Sequence, residues 1–275
     1  MCLFPKIIHN PKYKPNKKNN GNPPIWTDKR VLAVPVGCGR CIECMKKKRN
    51  EYRVRLGEEL KHNKMKTYFV TLTYKNEEYA KLIKECIKEG YDKDNELASI
   101  SIRRFLERWR KEHKKSIKHW FITEIGGGRY EHLHIHGLIW TDKDKKDIEK
   151  HWRYGMVWIG DYVNEKTINY ITKYLHKIDN KHKTYKPIIL SSKGIGKDYI
   201  YTFNASKNKF NGKETREEYI HRNGLKSSLP IYYRNKLYTD DEKEKLWLQK
   251  LDKEERYVLG KKISVKENEI NYKKA

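Results

Sequence analysis

The segment Glu131–Trp140 reads EHLHIHGLIW and constrains the fold more than any other stretch of the chain. Side chains on a strand alternate faces. As a strand it puts His132, His134 and His136 on one face and Leu133, Ile135 and Ile139 on the other. An apolar face of that regularity needs a sheet to belong to and a core to lie against. The preceding residues 119–125 (HWFITEI) alternate as well, and Gly126-Gly127-Gly128 between the two runs is a turn, so a β-hairpin is expected. Thr67–Tyr74 (TYFVTLTY) is a β-branched and aromatic strand, and Met156–Ile159 is a further one.

Helical spacing fills the intervals. Met45, Tyr52, Leu56 and Leu60 mark a basic helix, and Ile102, Phe105, Leu106 and Trp109 fall at i, i+3, i+4, i+7. Residues 142–153 read as a polar helix with Ile148 and Trp152 inward. Asn164 is the expected N-cap of a helix running to about Ile178. Thr239-Asp240-Asp241-Glu242 opens another with a capping box. The order is α+β: a central antiparallel sheet with helices packed on one face. Three regions are expected: 1–62, a Cys-rich segment (mostly irregular over residues 1–30) and basic helix; 63–180, the sheet; and 181–275, a basic extension that faces DNA.

Charge narrows the function. The 275 residues carry 62 Lys+Arg against 36 Asp+Glu, a formal net charge of +26. An excess of this size predicts a polyanionic partner, nucleic acid before an anionic membrane surface. The 20 Tyr and 7 Trp interleaved with that charge suit base stacking on single strands. No run approaches the ~18 apolar residues of a membrane span. The start, Met1–Asn20, has no apolar core of a secretory signal. Three of five cysteines lie within seven residues, which suits a metal in a reducing, intracellular setting better than cystines.

The histidine face is a candidate metal site, since imidazole binds divalent transition metals. A core histidine is usually solitary; three on one face are not what packing alone produces. Glu124, near the turn of the neighbouring strand, is the expected oxygen ligand, with His132 the competing third. A carboxylate and two imidazoles suit Mg²⁺ or Mn²⁺ with positions open for substrate oxygens. The helix after Asn164 has an aliphatic face (Ile168, Ile171, Leu175) and beside it a face of Tyr170, Tyr174, Lys173 and Lys177. A phenol of pKa near ~10 needs such ammonium groups to become a nucleophile.

Cys38, Cys41 and Cys44 have Cys-x-x-Cys-x-x-Cys spacing. Structural zinc takes four ligands. Cys2 is the expected fourth, with His9 the alternate. The spacing is also that of part of an iron–sulfur motif, but nothing on the histidine strand calls for electron transfer. Cys86 reads as a lone free thiol. Ser192-Lys193-Gly194-Ile195-Gly196-Lys197 lacks the spacing of a nucleotide-binding loop and reads as a basic loop.

Taken in order, the strand Phe69–Tyr74, the pair His134-Ile135-His136, and the doubled Tyr170-Ile171-Thr172-Lys173 and Tyr174-Leu175-His176-Lys177 resemble the HUH endonuclease superfamily over roughly residues 1–200. The doubled tyrosine, the turn Val36–Cys44 and the segment Ser192–Lys197 resemble the replication initiators of microviruses, gokushovirus-like single-stranded-DNA phages. Where that family has Arg-Pro before the histidine pair, this chain has His132-Leu133. The resemblance implies a catalytic domain over 63–180. It implies an enzyme that nicks one strand at an origin, becomes linked as a 5′-phosphotyrosine, starts rolling-circle synthesis from the freed 3′-OH, and later rejoins the strand. It implies origin DNA and host replication machinery as partners in a bacterial cytoplasm. A plasmid or conjugative relaxase of the same chemistry is the nearest alternative, and a non-catalytic zinc-containing DNA-binding protein is the alternative from another class.

Overall fold

The computed structural model describes residues 2–126, 132–177, 181–182, 184–253, 255–258 and 261–264. Gly127 and Gly128 of the expected turn, Glu131 at the start of the expected strand, and Ile178 at the end of the expected helix lie outside the described residues. In chain order the elements are β1 (Lys6–His9), β2 (Ala33–Val36), α1 (Ile42–His62), β3 (Lys66–Leu72), α2 (Asn76–Lys84), α3 (Gly90–His113), β4 (Lys118–Ile125), β5 (Leu133–Thr141), α4 (Lys145–Trp152), β6 (Val157–Gly160), α5 (Glu165–Thr172) and β7 (Ile189–Ser191). There follow α6 (Phe203–Ser206), β8 (Glu218–Ile220), β9 (Lys226–Ser228), α7 (Ile231–Leu237), α8 (Asp240–Asp252), β10 (Glu255–Val258) and β11 (Lys261–Ser264).

The chain divides into two units, Tyr52–Asp198 and a second made of residues up to Glu51 together with those from Tyr199 on. These bounds differ from the 62/63 and 180/181 boundaries expected from sequence. Leu56, Tyr52 and Leu60 of α1 pack on the same cluster as Trp120 and Ile122 of β4, and Ile195 joins them there. Apolar contact, rather than the change in composition, sets where the sheet unit begins and ends.

In that unit five strands lie in the order β6-β3-β5-β4-β7, each pair antiparallel. The expected α+β class and antiparallel sheet are present. The expectation that helices cover one face is corrected: they cover both. Tyr68, Val70, Leu72, Phe121, Leu133, Ile135 and Ile139 lie under Leu97, Ile102, Phe105 and Trp109 of α3 and Ile148 and Trp152 of α4. Trp120, Ile122, Leu138 and Trp140 lie under Leu56 of α1 and Ile168 and Ile171 of α5. The reason is in the strands themselves. Trp120-Phe121-Ile122 and Leu138-Ile139-Trp140 are unbroken apolar runs, and a strand apolar on both faces must be covered on both. Between the two runs Gly137 allows close approach: a Cβ there would stand 2.3 Å from Phe121 Cδ1 and 2.4 Å from the Trp120 carbonyl oxygen.

Two acids on α1 are buried, and one of them ties this unit together. Glu59, 1% exposed, accepts from Lys118 Nζ at 2.6 Å, Asn63 Nδ2 at 2.7 Å and the Gly196 N–H at 2.8 Å. The loop read as basic is therefore also a wedge. Gly194 and Gly196 take φ of +76° and +70°, conformations that favour glycine, and the turn they make buries Ile195 completely.

In the other unit, residues expected to be mostly irregular form an antiparallel pair, β1 with β2, from Lys6 opposite Val36 to His9 opposite Ala33. The early segment is held to residues much later in the chain. Lys12 pairs with Asp241 at 2.9 Å and Glu244 at 3.0 Å, the Tyr13 hydroxyl donates to Glu244 at 2.8 Å, and Arg30 pairs with Asp252 at 2.7 Å. The Thr239 capping box opens α8 as expected. Tyr199 stacks on Tyr233 at 4.5 Å beside Tyr219. Among the described residues no helix is long and apolar enough to cross a membrane.

Candidate active site

Strand register brings the acid and the imidazoles together. β4 and β5 place Glu124 directly opposite His134 and Ile122 opposite His136, and β3 places Thr71 on the other side of His136. Cross-strand neighbours of this kind stand ~5 Å apart. The His136 Nε2 is 2.9 Å from Glu124 Oε2, and its Nδ1 is 3.0 Å from the Thr71 hydroxyl. A hydroxyl both donates and accepts, so Thr71 orients the ring in either tautomer. Phe69 stacks parallel to the same imidazole at 6.4 Å. His134 lies with its ring centroid 6.3 Å from that of His136. Its imidazole occupies the space a side chain at Gly126 would fill: a Cβ there would be 2.8 Å from His134 Cε1. Gly126, expected only as part of a turn, makes room for the histidine.

His132 precedes β5, which begins at Leu133. Its ring meets the edge of Tyr79 of α2 at 5.9 Å, and Tyr79 packs on the cluster across the sheet from Glu124. The two residues of the expected pair, His134 and His136, are thus aligned with Glu124 by the ladder, whereas His132 is not part of it.

The tyrosine helix is α-helical only to Thr172 and then tightens to a 3₁₀ turn over Lys173–Leu175. The Thr172 hydroxyl donates back to the Ile168 carbonyl at 2.7 Å, a bond that competes with the regular ladder. Asn164 caps the start through Lys166 and Thr167, as expected. Ile168, Ile171 and Leu175 bury against the sheet, which turns Tyr170 and Tyr174 toward the His136–Glu124 pair. The Tyr174 ring stacks on His136 at 4.8 Å with 4° between the planes, and its hydroxyl donates to the Tyr170 hydroxyl at 2.9 Å. Lys173 Nζ lies 3.8 Å from the centroid of the Tyr170 ring, and Lys177 Nζ lies 2.6 Å from Glu124 Oε1.

The two phenols are not equivalent. Tyr174 is 6% exposed and Tyr170 45%. Burial, then the hydrogen bond to Tyr170 and the nearby Glu124 carboxylate, push the Tyr174 hydroxyl well above the ordinary phenol range. Burial acts on Glu124 in the opposite sense to its partners. Its desolvation is outweighed by the hydrogen bonds and charge of His136 and Lys177, so the carboxyl sits below its usual value and is ionised at neutral pH. Burial and the neighbouring His136 lower His134, leaving a neutral imidazole with a lone pair for a ligand.

Thr71, Phe69 and the Lys177–Glu124 contact carry no mark in the sequence. Thr71 and Phe69 look like any strand residues until β3 is registered against β5. Helical spacing groups Lys177 with the phenols, but its short contact is with the acid.

The four cysteines also converge. The Sγ atoms of Cys2, Cys38, Cys41 and Cys44 lie within 4.8 Å of one another, a set that could hold a metal ion, and all five cysteines of the chain are free thiols. Backbone N–H groups point at the sulfurs: Cys38 N to Cys2 Sγ at 3.1 Å, Cys41 N to Cys38 Sγ at 3.3 Å and Leu3 N to Cys41 Sγ at 3.5 Å. Desolvation would raise the Cys41 thiol, but the donors from Leu3 and Cys44 bring it down to about 6. Cys2, and not His9, is the fourth member.

A family model of replication-associated proteins of the ORF2 type matches residues 67–179, the span from β3 through the tyrosine helix. The Replication-associated protein ORF2 of Spiroplasma virus 4 is 30% identical over 228 residues, covering 72% of this chain and 69% of that protein. No solved structure matches the chain. The matched span holds Glu124, His134, His136, Tyr170 and Tyr174, and with the relative's coverage it places the chain in the family of ORF2-type replication-associated proteins.

Proposed function

We propose that this protein initiates replication of a small single-stranded-DNA genome by nicking and rejoining one strand through tyrosine chemistry of the HUH type, in the manner of a microviral initiator. The observation that carries the reading is the stack of Tyr174 on His136, which sets a linked pair of phenols over an acid–imidazole pair. Glu124, His134 and His136 form a donor set of one carboxylate and two imidazoles, and Gly126 leaves a cradle for the His134 ring. These residues would hold Mg²⁺ or Mn²⁺, which supplies charge neutralisation at the scissile phosphate. Lys173, over the Tyr170 ring, favours the phenolate. Tyr174 donates a hydrogen bond to the Tyr170 oxygen and so stabilises charge there. The more exposed Tyr170 attacks first. Its oxygen forms a bond to phosphorus, the bond from phosphorus to the 3′ oxygen breaks, and that oxygen leaves as a 3′-OH after taking up a proton. The phosphotyrosine keeps the phosphodiester energy, so rejoining needs no nucleotide cofactor. Trp158, 55% exposed and edge-on to Phe69 at 5.5 Å, offers a ring on which a flanking base can stack. The four cysteines would hold a structural Zn²⁺.

The test is mass spectrometry of the protein after incubation with manganese and single-stranded origin DNA. A covalent protein–oligonucleotide adduct is expected. Tyr170→Phe is expected to lower adduct formation at least ~100-fold, and Tyr174→Phe to nick but fail to complete strand transfer. An adduct in the double variant at the wild-type level would place the nucleophile elsewhere.

A further inference from the structure

On the far face of the sheet from the tyrosines, two imidazoles and a carboxylate meet where the last turn of α3 touches α4. One ligand atom from each of Glu112, His113 and His151 lies within 4.8 Å of the others. His151 is buried, with its side chain 3% exposed and its Nε2 3.3 Å from Glu112 Oε2. Its Nδ1 is 2.6 Å from the Asp147 carbonyl, one turn back in α4. A carbonyl only accepts, so the proton is on Nδ1 and the Nε2 lone pair faces the carboxylate side. The His113 Nε2 is buried and has no hydrogen-bond partner among the described residues. A buried polar atom left in that state is costly. Trp109 lies beneath both imidazoles, 4.4 Å from His113 and 5.2 Å from His151.

We propose that Glu112, His113 and His151 form a second metal site, separate from the histidine strand and the cysteines, that takes a borderline divalent transition ion of the zinc class. Zinc holds imidazole nitrogens and carboxylate oxygens at ~2.0–2.2 Å, which puts tetrahedral ligands about 3.4 Å apart. Exposed Glu112 and half-buried His113 have the freedom to close onto buried His151. The outer supports that metal ligands need are already in place. The Asp147 carbonyl fixes the His151 tautomer. Lys150 holds Glu112 Oε1 at 2.6 Å and leaves Oε2 toward the imidazole. Arg108 of α3 donates to the His151 carbonyl at 2.9 Å, so α3 and α4 are in register before an ion arrives. Three protein ligands leave a fourth position for water. The ion would bolt the end of α3 to α4, and the inference is independent of the nicking reaction.

The test is zinc binding by the full chain, followed as bound metal after dialysis and as the ¹⁵N shifts of the His113 and His151 Nε2 atoms. Wild-type protein is expected to hold one equivalent more than His113→Gln protein, and zinc is expected to move both Nε2 resonances. Replacing buried His151 endangers the fold, so exposed Glu112→Gln is the second variant. It should weaken that one equivalent at least ~10-fold with an unchanged circular dichroism spectrum. Nε2 resonances of His113 and His151 that zinc leaves unmoved, whatever the stoichiometry, overturn the site.

Discussion

His136 bears the most connections in the catalytic region: Thr71 and Glu124 on its two nitrogens, Phe69 and Tyr174 on its ring. Its removal should separate chemistry from affinity. His136→Ala is expected to lose cleavage while single-stranded DNA binding at moderate salt falls less than ~3-fold, because affinity comes from the distributed charge. Cleavage assays paired with fluorescence anisotropy on one oligonucleotide check this, and wild-type nicking by the variant would remove His136 from the machinery. His134, His136 and Glu124 were legible because period-two alternation and one turn suffice to align them. The place of His132 was not, since alternation holds only inside a strand and β5 starts one residue later. Glu112, His113 and His151 were not legible either. Two are adjacent in sequence and the third lies on another helix, so no ligand spacing announces them.

The strands were legible as elements, and the covering of the sheet was not. Phe121 and Ile122 are neighbours in sequence yet join opposite cores, which is visible only once the strand has partners on both sides. The charged excursion after Tyr74 hides α2, whose single buried residue is Leu82, and three-residue β7 is too short to show a period. Two predictions belong to these elements. Gly137→Ala should destabilise the sheet unit by about 3 kcal/mol or more, since the methyl would overlap Phe121 and the Trp120 carbonyl; the urea midpoint measures it. Tyr74 at the end of β3 is buried, and its hydroxyl lies 2.6 Å from Ser101 of α3. Burial raises this phenol far above its ordinary value of 10.0 despite that hydrogen bond. A group whose folded value is raised stabilises fully below its unfolded value and loses that contribution as pH rises through the folded one. Stability should therefore fall above pH 10, by about 1 kcal/mol to pH 11 from this phenol alone. Tyr74→Phe should show a shallower slope of stability against pH over that range, and an identical slope would contradict the assignment.

For the molecule as a whole, the charge of +26 and the family go together, and composition alone pointed to nucleic acid. The grouping of the chain into units was not readable. Composition separates a cysteine-rich start from a basic tail, while the structure places residues up to Glu51 and residues from Tyr199 on in one unit. The links are single charges and hydroxyls, such as Lys12 with Asp241 and Tyr13 with Glu244, and isolated pairs leave no periodic trace. The cysteine cluster belongs to this unit. About one zinc per chain is expected there by elemental analysis, lost in Cys38→Ser, and with it the thermal stability of this unit. Equal zinc content in wild type and variant, read against the His113→Gln protein, would contradict it.

The ion pair of Lys12 with Asp241 spans 229 residues of sequence, and that separation has a consequence for synthesis. A bacterial ribosome extends a chain at roughly 5–20 residues per second, so Asp241 emerges about 10–50 s after Lys12. The sheet unit, Tyr52–Asp198, is complete before then and its strands can pair as they leave the exit tunnel. The opening segment is translated first and assembled last. Through that interval its thiols are without the late residues that pack with the segment, which makes the growing chain most vulnerable to oxidation or to a competing soft metal at the end it made first.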